Sequence, residues 1–113
     1  MYNIIYSQNS YNKLDSFIDG FSSTFLKMYT DTGIYDEKLI CNSYIEMGDR
    51  FYDSILKKIN DIFREETIYG FSTTSEKLLY TTISINNFRL FVYYSEDKGS
   101  KNRFIEDIEF YKR

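Results

Sequence analysis

The stretch LLYTTISINNFRLFVYYSED, Leu78 to Asp97, carries the reading of the fold. Asn86-Asn87 separates two runs rich in β-branched and aromatic residues, and on both sides the pattern alternates with period two. A two-residue turn there sets the register. Ile85 pairs Phe88, Ser84 pairs Arg89, Thr82 pairs Phe91, Tyr80 meets Tyr93 and Leu79 meets Tyr94. Leu79, Ile83, Ile85, Leu90 and Val92 then share a core-side face, while Tyr80, Thr82, Ser84, Arg89, Phe91 and Tyr93 share the other. The polar turn Glu96–Lys101 leads into RFIEDIEFYK (Arg103–Lys112), a third strand of the meander. If Phe104, Ile108 and Phe110 face the core, Asp107 and Glu109 fall beside Arg89 on the open face. That register also buries Glu106, which leaves room for a bulge or a shift.

Upstream of the hairpin the period changes. YNIIYS (Tyr2–Ser7) reads as a short first strand, and Leu14, Phe17, Ile18, Phe21, Phe25 and Met28 then recur at three and four, one stripe of a helix. YTDTG (Tyr29–Gly33) ends it. A second helical pattern runs from about Asp36 to Arg64, through Leu39, Ile40, Tyr44, Phe51, Ile55, Leu56, Ile59, Ile62 and Phe63. Gly48 lies on that stripe, either as a break or as a close-packing point. Gly70 and STTSEK (Ser72–Lys77) read as a loop. The expectation is one α+β domain over residues 1–113: an antiparallel sheet of about four strands with two or three helices on one face.

The totals limit the function. At 113 residues the chain can bury roughly two-thirds of its unfolded surface without a disulfide or metal. A net charge of −3 gives no global attraction to nucleic acid or anionic lipid, so such binding needs a local patch. The single cysteine, Cys41, forms no internal disulfide, reads as a buried thiol, and with no histidine in the chain lacks an activating base. No apolar run suits a signal peptide or a membrane span, so the expected location is the cytoplasm.

Several motifs lose to ordinary readings. DTG (Asp31–Gly33) matches the aspartic-protease tripeptide, but helical patterns flank it where that chemistry needs strands, so it is a turn. GFSTTSEK lacks the Gly-Lys spacing of a phosphate loop. Without histidines or a cysteine cluster no zinc site is expected, and no cofactor. Asp49, Asp53, Lys57 and Asp61 are spaced for ion pairs along a helix surface.

One constellation remains, the open sheet face. Arg89 supplies a fixed charge there, and Tyr80 and Tyr93 offer hydrogen bonds and stacking surfaces. Such a set can grip a phosphate. The pattern alone favours the plainer reading, a solvent-facing sheet whose aromatics pair across strands.

The closing RLFVYY (Arg89–Tyr94), a polar turn and RFIEDIEFYKR (Arg103–Arg113) resemble the final meander of the RelE/ParE toxin superfamily, small strand–helix–helix–strands proteins of bacterial toxin–antitoxin modules. The opening YNIIYS followed by a cap-rich helix fits the same pattern. The resemblance implies a toxin-like protein with a cognate antitoxin as partner, acting by mRNA cleavage on the ribosome or on DNA gyrase. It matches Arg89 to the family's strand arginine and Lys112-Arg113 to its terminal basic pair; joined with the open-face tyrosines, this makes Arg89, Tyr93 and Arg113 the catalytic candidates and Tyr80 and Lys112 the substrate-binding ones. Tyr93 follows Arg89 by four residues, and so shares its face. Whether the chain is an enzyme stays open. The alternative is a non-catalytic protein-binding module on the same fold, with Arg89 in an ion pair to Asp107 or Glu109.

Overall fold

The computed structural model describes the backbone of residues 1–30, 37–75 and 77–112, and the side chains of these except 22–30 and 37–44. The element order is β1 (Asn3–Tyr6), α1 (Gln8–Thr30), α2 (Glu37–Phe63), β2 (Phe71–Ser72), β3 (Leu79–Ile85), β4 (Phe88–Asp97) and β5 (Asn102–Lys112). The Cys41 side chain and the Asp31–Gly33 tripeptide lie outside the described residues, as does Arg113.

Ser7 starts α1: its hydroxyl oxygen accepts a hydrogen bond from the Ser10 amide at 3.1 Å, satisfying one of the donors that a helix start leaves without a partner. The apolar stripe of α1 then meets the sheet. Leu14 is fully buried, and Phe17 stacks on Phe110 with ring centroids 4.1 Å apart. On α2, Ile55, Ile59 and Phe63 are buried at a spacing of four residues. Gly48 is buried inside this continuous helix, so it is a packing point and no break.

The α+β class holds, but the sheet differs from the expected one. It has five strands in the order β1-β5-β4-β3-β2, and β1 runs parallel to β5, so the sheet is mixed. The fifth strand is β2, two residues of the stretch read as loop, paired with Leu79 and Tyr80. Neither feature is local: both depend on which edges of the meander remain free for distant segments. The hairpin itself has the register that its turn dictates, from Ile85 opposite Phe88 to Leu79 opposite Tyr94. Asn86 adopts a left-handed φ of 51°, which asparagine tolerates better than most residues.

Between β4 and β5 the register slips by one residue. Tyr93 faces Asp107, but Tyr94 faces Ile105, which leaves Glu106 as a bulge. The bulge resolves the parity problem: Ile105 and Ile108 are both buried although they stand three positions apart, an odd spacing, and Glu106 points to solvent. Phe104 therefore sits opposite Ser95, away from the core, instead of lining up with Ile108 and Phe110. Ile83, Leu90, Val92, Tyr94, Ile105 and Ile108 close the core against the two helices.

The end of α2 is secured by β5. Its last turn has no basic residue, yet the Arg103 guanidinium donates to the carbonyls of Phe63 (2.6 Å), Glu65 and Glu66 (3.1 Å). These bonds satisfy carbonyls that a helix C-terminus otherwise leaves unpaired. Arg103 is 1% exposed, pairs with Glu96 at 2.9 Å, and lies 3.8 Å from the centroid of the Tyr2 ring. It is the most deeply buried charge among the described residues.

Candidate functional site

The helices cover one face of the sheet and leave the other open. Alternation along β3, β4 and β5 puts Tyr80, Thr82 and Ser84, then Arg89, Phe91 and Tyr93, then Asp107, Glu109 and Tyr111 on that open face. Their rings form a belt across four strands. Phe71 lies 5.4 Å from Tyr80, Tyr80 lies 6.0 Å from Phe91 and 5.9 Å from Tyr93, and Phe91 meets Tyr111 edge-on at 5.2 Å. Aromatic pairs at such separations favour tilted and edge-to-face arrangements.

Arg89 stands at the hairpin end of this belt, between Ser84 and Tyr111. It is exposed, and among the described residues its guanidinium has neither a hydrogen bond nor an ion pair. The two carboxylates that could neutralise it are engaged elsewhere. Asp107 accepts from Asn9 at 2.9 Å and from the Ile108 amide at 2.8 Å, with the Lys13 ammonium 3.6 Å away. Glu109 accepts from the Tyr111 phenol at 2.5 Å. The ion pair expected for the binding-module alternative is thus not formed.

Glu109 also shapes its tyrosines. The Tyr93 phenol is held above its ordinary pKa, chiefly by burial and then by the negative charge of Glu109. Tyr111 is raised mainly by its hydrogen bond to the same carboxylate, since that bond needs the phenolic proton. Both phenols therefore remain neutral donors at neutral pH. The face offers a guanidinium for an anion, a carboxylate as proton acceptor, and neutral phenols as donors and stacking surfaces.

Of the residues expected from the sequence, Arg89, Tyr80 and Tyr93 come together on the open face. Lys112 does not join them. It is opposite Phe88, on the helix side, and lines a groove of about 650 Å³ with Phe17, Phe21 and Asn87. Phe71 and Tyr111 complete the belt, although the sequence pattern assigns neither a role. Tyr111 follows from strand parity with Glu109, whereas Phe71 has no local signal.

Among the described residues no cluster of three or more histidine, cysteine, aspartate or glutamate side chains could hold a metal ion. No described helix is long and apolar enough to cross a membrane. Comparison with protein-family models, with curated proteins and with solved structures found no match.

Proposed function

We propose that this chain is the toxin-like component of a bacterial type II toxin–antitoxin module of RelE/ParE type, acting in the cytoplasm through the open face of its sheet. The observation that carries this reading is the exposed Arg89, unpaired among the described residues, beside a belt of aromatic rings. A free guanidinium on a surface is available to a phosphate or a carboxylate, and neighbouring rings can stack on bases or on a partner's side chains. The element order, one strand and two helices followed by strands, supports it as well. In this mechanism Arg89 binds the anionic group of the target, Tyr80 and Tyr93 stack or donate hydrogen bonds, and Arg113 adds charge. The target is a message on the ribosome or the gyrase protein, and a cognate antitoxin is the natural partner.

A second reading, a non-catalytic protein-binding module, is favoured by one feature. Glu109 and Asp107 share the face with Arg89 and would repel a phosphate. The two readings separate in one experiment: tightly controlled induction in a bacterial host, wild type beside Arg89→Ala, following growth and bulk RNA integrity. Arrest with fragmented message, lost in the variant, supports mRNA cleavage. Arrest with intact RNA supports a protein target such as gyrase. Normal growth with soluble, well-expressed protein removes the toxin reading in that host.

A further inference from the structure

We propose that the open face of the sheet is a self-association surface, on which two copies of this chain meet about a two-fold axis with Arg89 of each against Glu109 of the other. Among the described residues, the face carries one cation without a side-chain partner, Arg89, and diagonal to it a carboxylate held by the phenols of Tyr111 and Tyr93 with no cation beside it, Glu109. Arg89 is opposite Tyr111, and Phe91 is opposite Glu109, so the two charges occupy diagonal positions of one cross-strand quartet. Diagonal neighbours on an antiparallel pair stand about 7–8 Å apart. A two-fold axis in the plane of the interface, bisecting that diagonal, exchanges the two positions. Each copy's guanidinium then meets the other's carboxylate, and the contact is made twice.

The same axis places the other two members of the quartet near their own counterparts, Phe91 toward Phe91 and Tyr111 toward Tyr111. Rings that are edge-on within a chain would gain partners across the interface, and strands of the two sheets would cross steeply, near the roughly 90° of orthogonal sheet packing. Asp107 is already held by Asn9 and Lys13, and Glu106, at the bulge, accepts from the Ser95 hydroxyl at 3.0 Å, away from the quartet. This self-complementarity points to a second copy of the chain. An unrelated partner would have to supply both charges in the right order, whereas an identical face supplies them by symmetry.

The size of the face sets the strength. The strands β2–β5, spaced about 4.8 Å apart and averaging about seven residues of about 3.3 Å, cover on the order of 450 Å² per copy. Stable dimers bury about 800 Å² per partner, so the association is weak and reversible. Self-association through this face requires no particular target. Where it and the proposed function both hold, the copies must separate before the face engages its target.

The test is the mass of the purified chain in solution, by light scattering and sedimentation velocity, from about 5 to about 500 μM, a range that brackets weak dimers. The expected result is a rise from the 13.6 kDa of one chain toward twice that value, reduced when salt is raised. Arg89→Glu alone and Glu109→Arg alone should each remain monomeric, with far-UV circular dichroism confirming their folds. Mixed in equal amounts they should regain the doubled mass, because one chain carries two carboxylates where the other carries two guanidiniums. A wild type that stays monomeric throughout overturns the proposal, as do single variants that dimerise like wild type or a mixture of folded variants that stays monomeric. Should either variant fail to fold, the concentration and salt dependence of the wild type decides alone.

Discussion

Replacing Arg103 by methionine removes one buried cation and everything it holds. The guanidinium donates to Glu96 at 2.9 Å, to Phe63 at 2.6 Å, to Glu66 at 3.1 Å and to the Glu65 carbonyl, and it is 1% exposed. Hydrogen bonds to a charged group contribute about 1.5–3 kcal/mol each, but four bonds sharing one charge are not independent. Removing one partner of a buried pair costs about 3–5 kcal/mol, which is the better guide here. Glu96, whose side chain is 16% exposed, loses its cation, and the carbonyls at the end of α2 lose their donor. With roughly 4 °C per kcal/mol for a domain of this size, Arg103→Met should lower the Tm by about 12–20 °C. Urea unfolding followed by circular dichroism measures the free energy directly, and Glu96→Gln with the double variant completes a cycle. The double variant should be less damaging than the sum of the single ones, because a neutral amide in place of the Glu96 carboxylate needs no cation. A loss below about 1 kcal/mol for Arg103→Met would refute the assignment of Arg103 as the clasp between β5 and α2, and strict additivity in the cycle would refute its coupling to Glu96 on β4.

Two further perturbations test the core. A Cβ added at Gly70 would lie 1.9 Å from the Tyr94 hydroxyl and 3.0 Å from its ring, and Tyr94 is fully buried. Gly70→Ala should therefore cost about 1–3 kcal/mol in thermal unfolding, with partial recovery on adding Tyr94→Phe; a neutral Gly70→Ala would contradict that close approach. Tyr6 donates to Asn60 at 2.6 Å, and burial pushes its phenol well above the ordinary value of 10.0. The folded state thus holds this proton more tightly than the unfolded chain does. Its contribution is complete below about pH 10 and is lost as pH rises toward the folded-state value. Tyr6→Phe should cost about 1 kcal/mol at neutral pH and flatten the alkaline fall in stability, measured by urea unfolding at a series of pH values. An unchanged alkaline slope would be inconsistent with a buried, bonded Tyr6 phenol.

Much of the candidate site is legible by counting. With Asn86-Asn87 as the turn, period two puts Arg89, Tyr80 and Tyr93 on one face, and the structure has them there. The family resemblance groups Lys112 with Arg89, although parity from Glu109 already assigns it to the opposite side. Parity cannot say whether Arg89 pairs with Asp107 or Glu109. That depends on Lys13 and Asn9 of α1 reaching Asp107 first, and on Tyr111 turning its hydroxyl to Glu109.

Elements built from neighbours in the chain were determined by the sequence alone. The stripes Leu14–Phe17–Phe21 and Ile55–Ile59–Phe63 and the register of the hairpin all follow from spacings of two, three or four residues, where backbone geometry leaves few choices. Tertiary structure decided whatever joins distant segments. It placed β1 parallel to β5, which lies about a hundred residues later, and added β2 to the free edge of β3. It put the bulge at Glu106, because Tyr94 and Ile105 must both reach a core whose shape the helices define. And it buried Arg103, a residue that looks in the sequence like any strand arginine. Only the arrival of the α2 terminus, with its unpaired carbonyls, makes that position one where a buried guanidinium is satisfied.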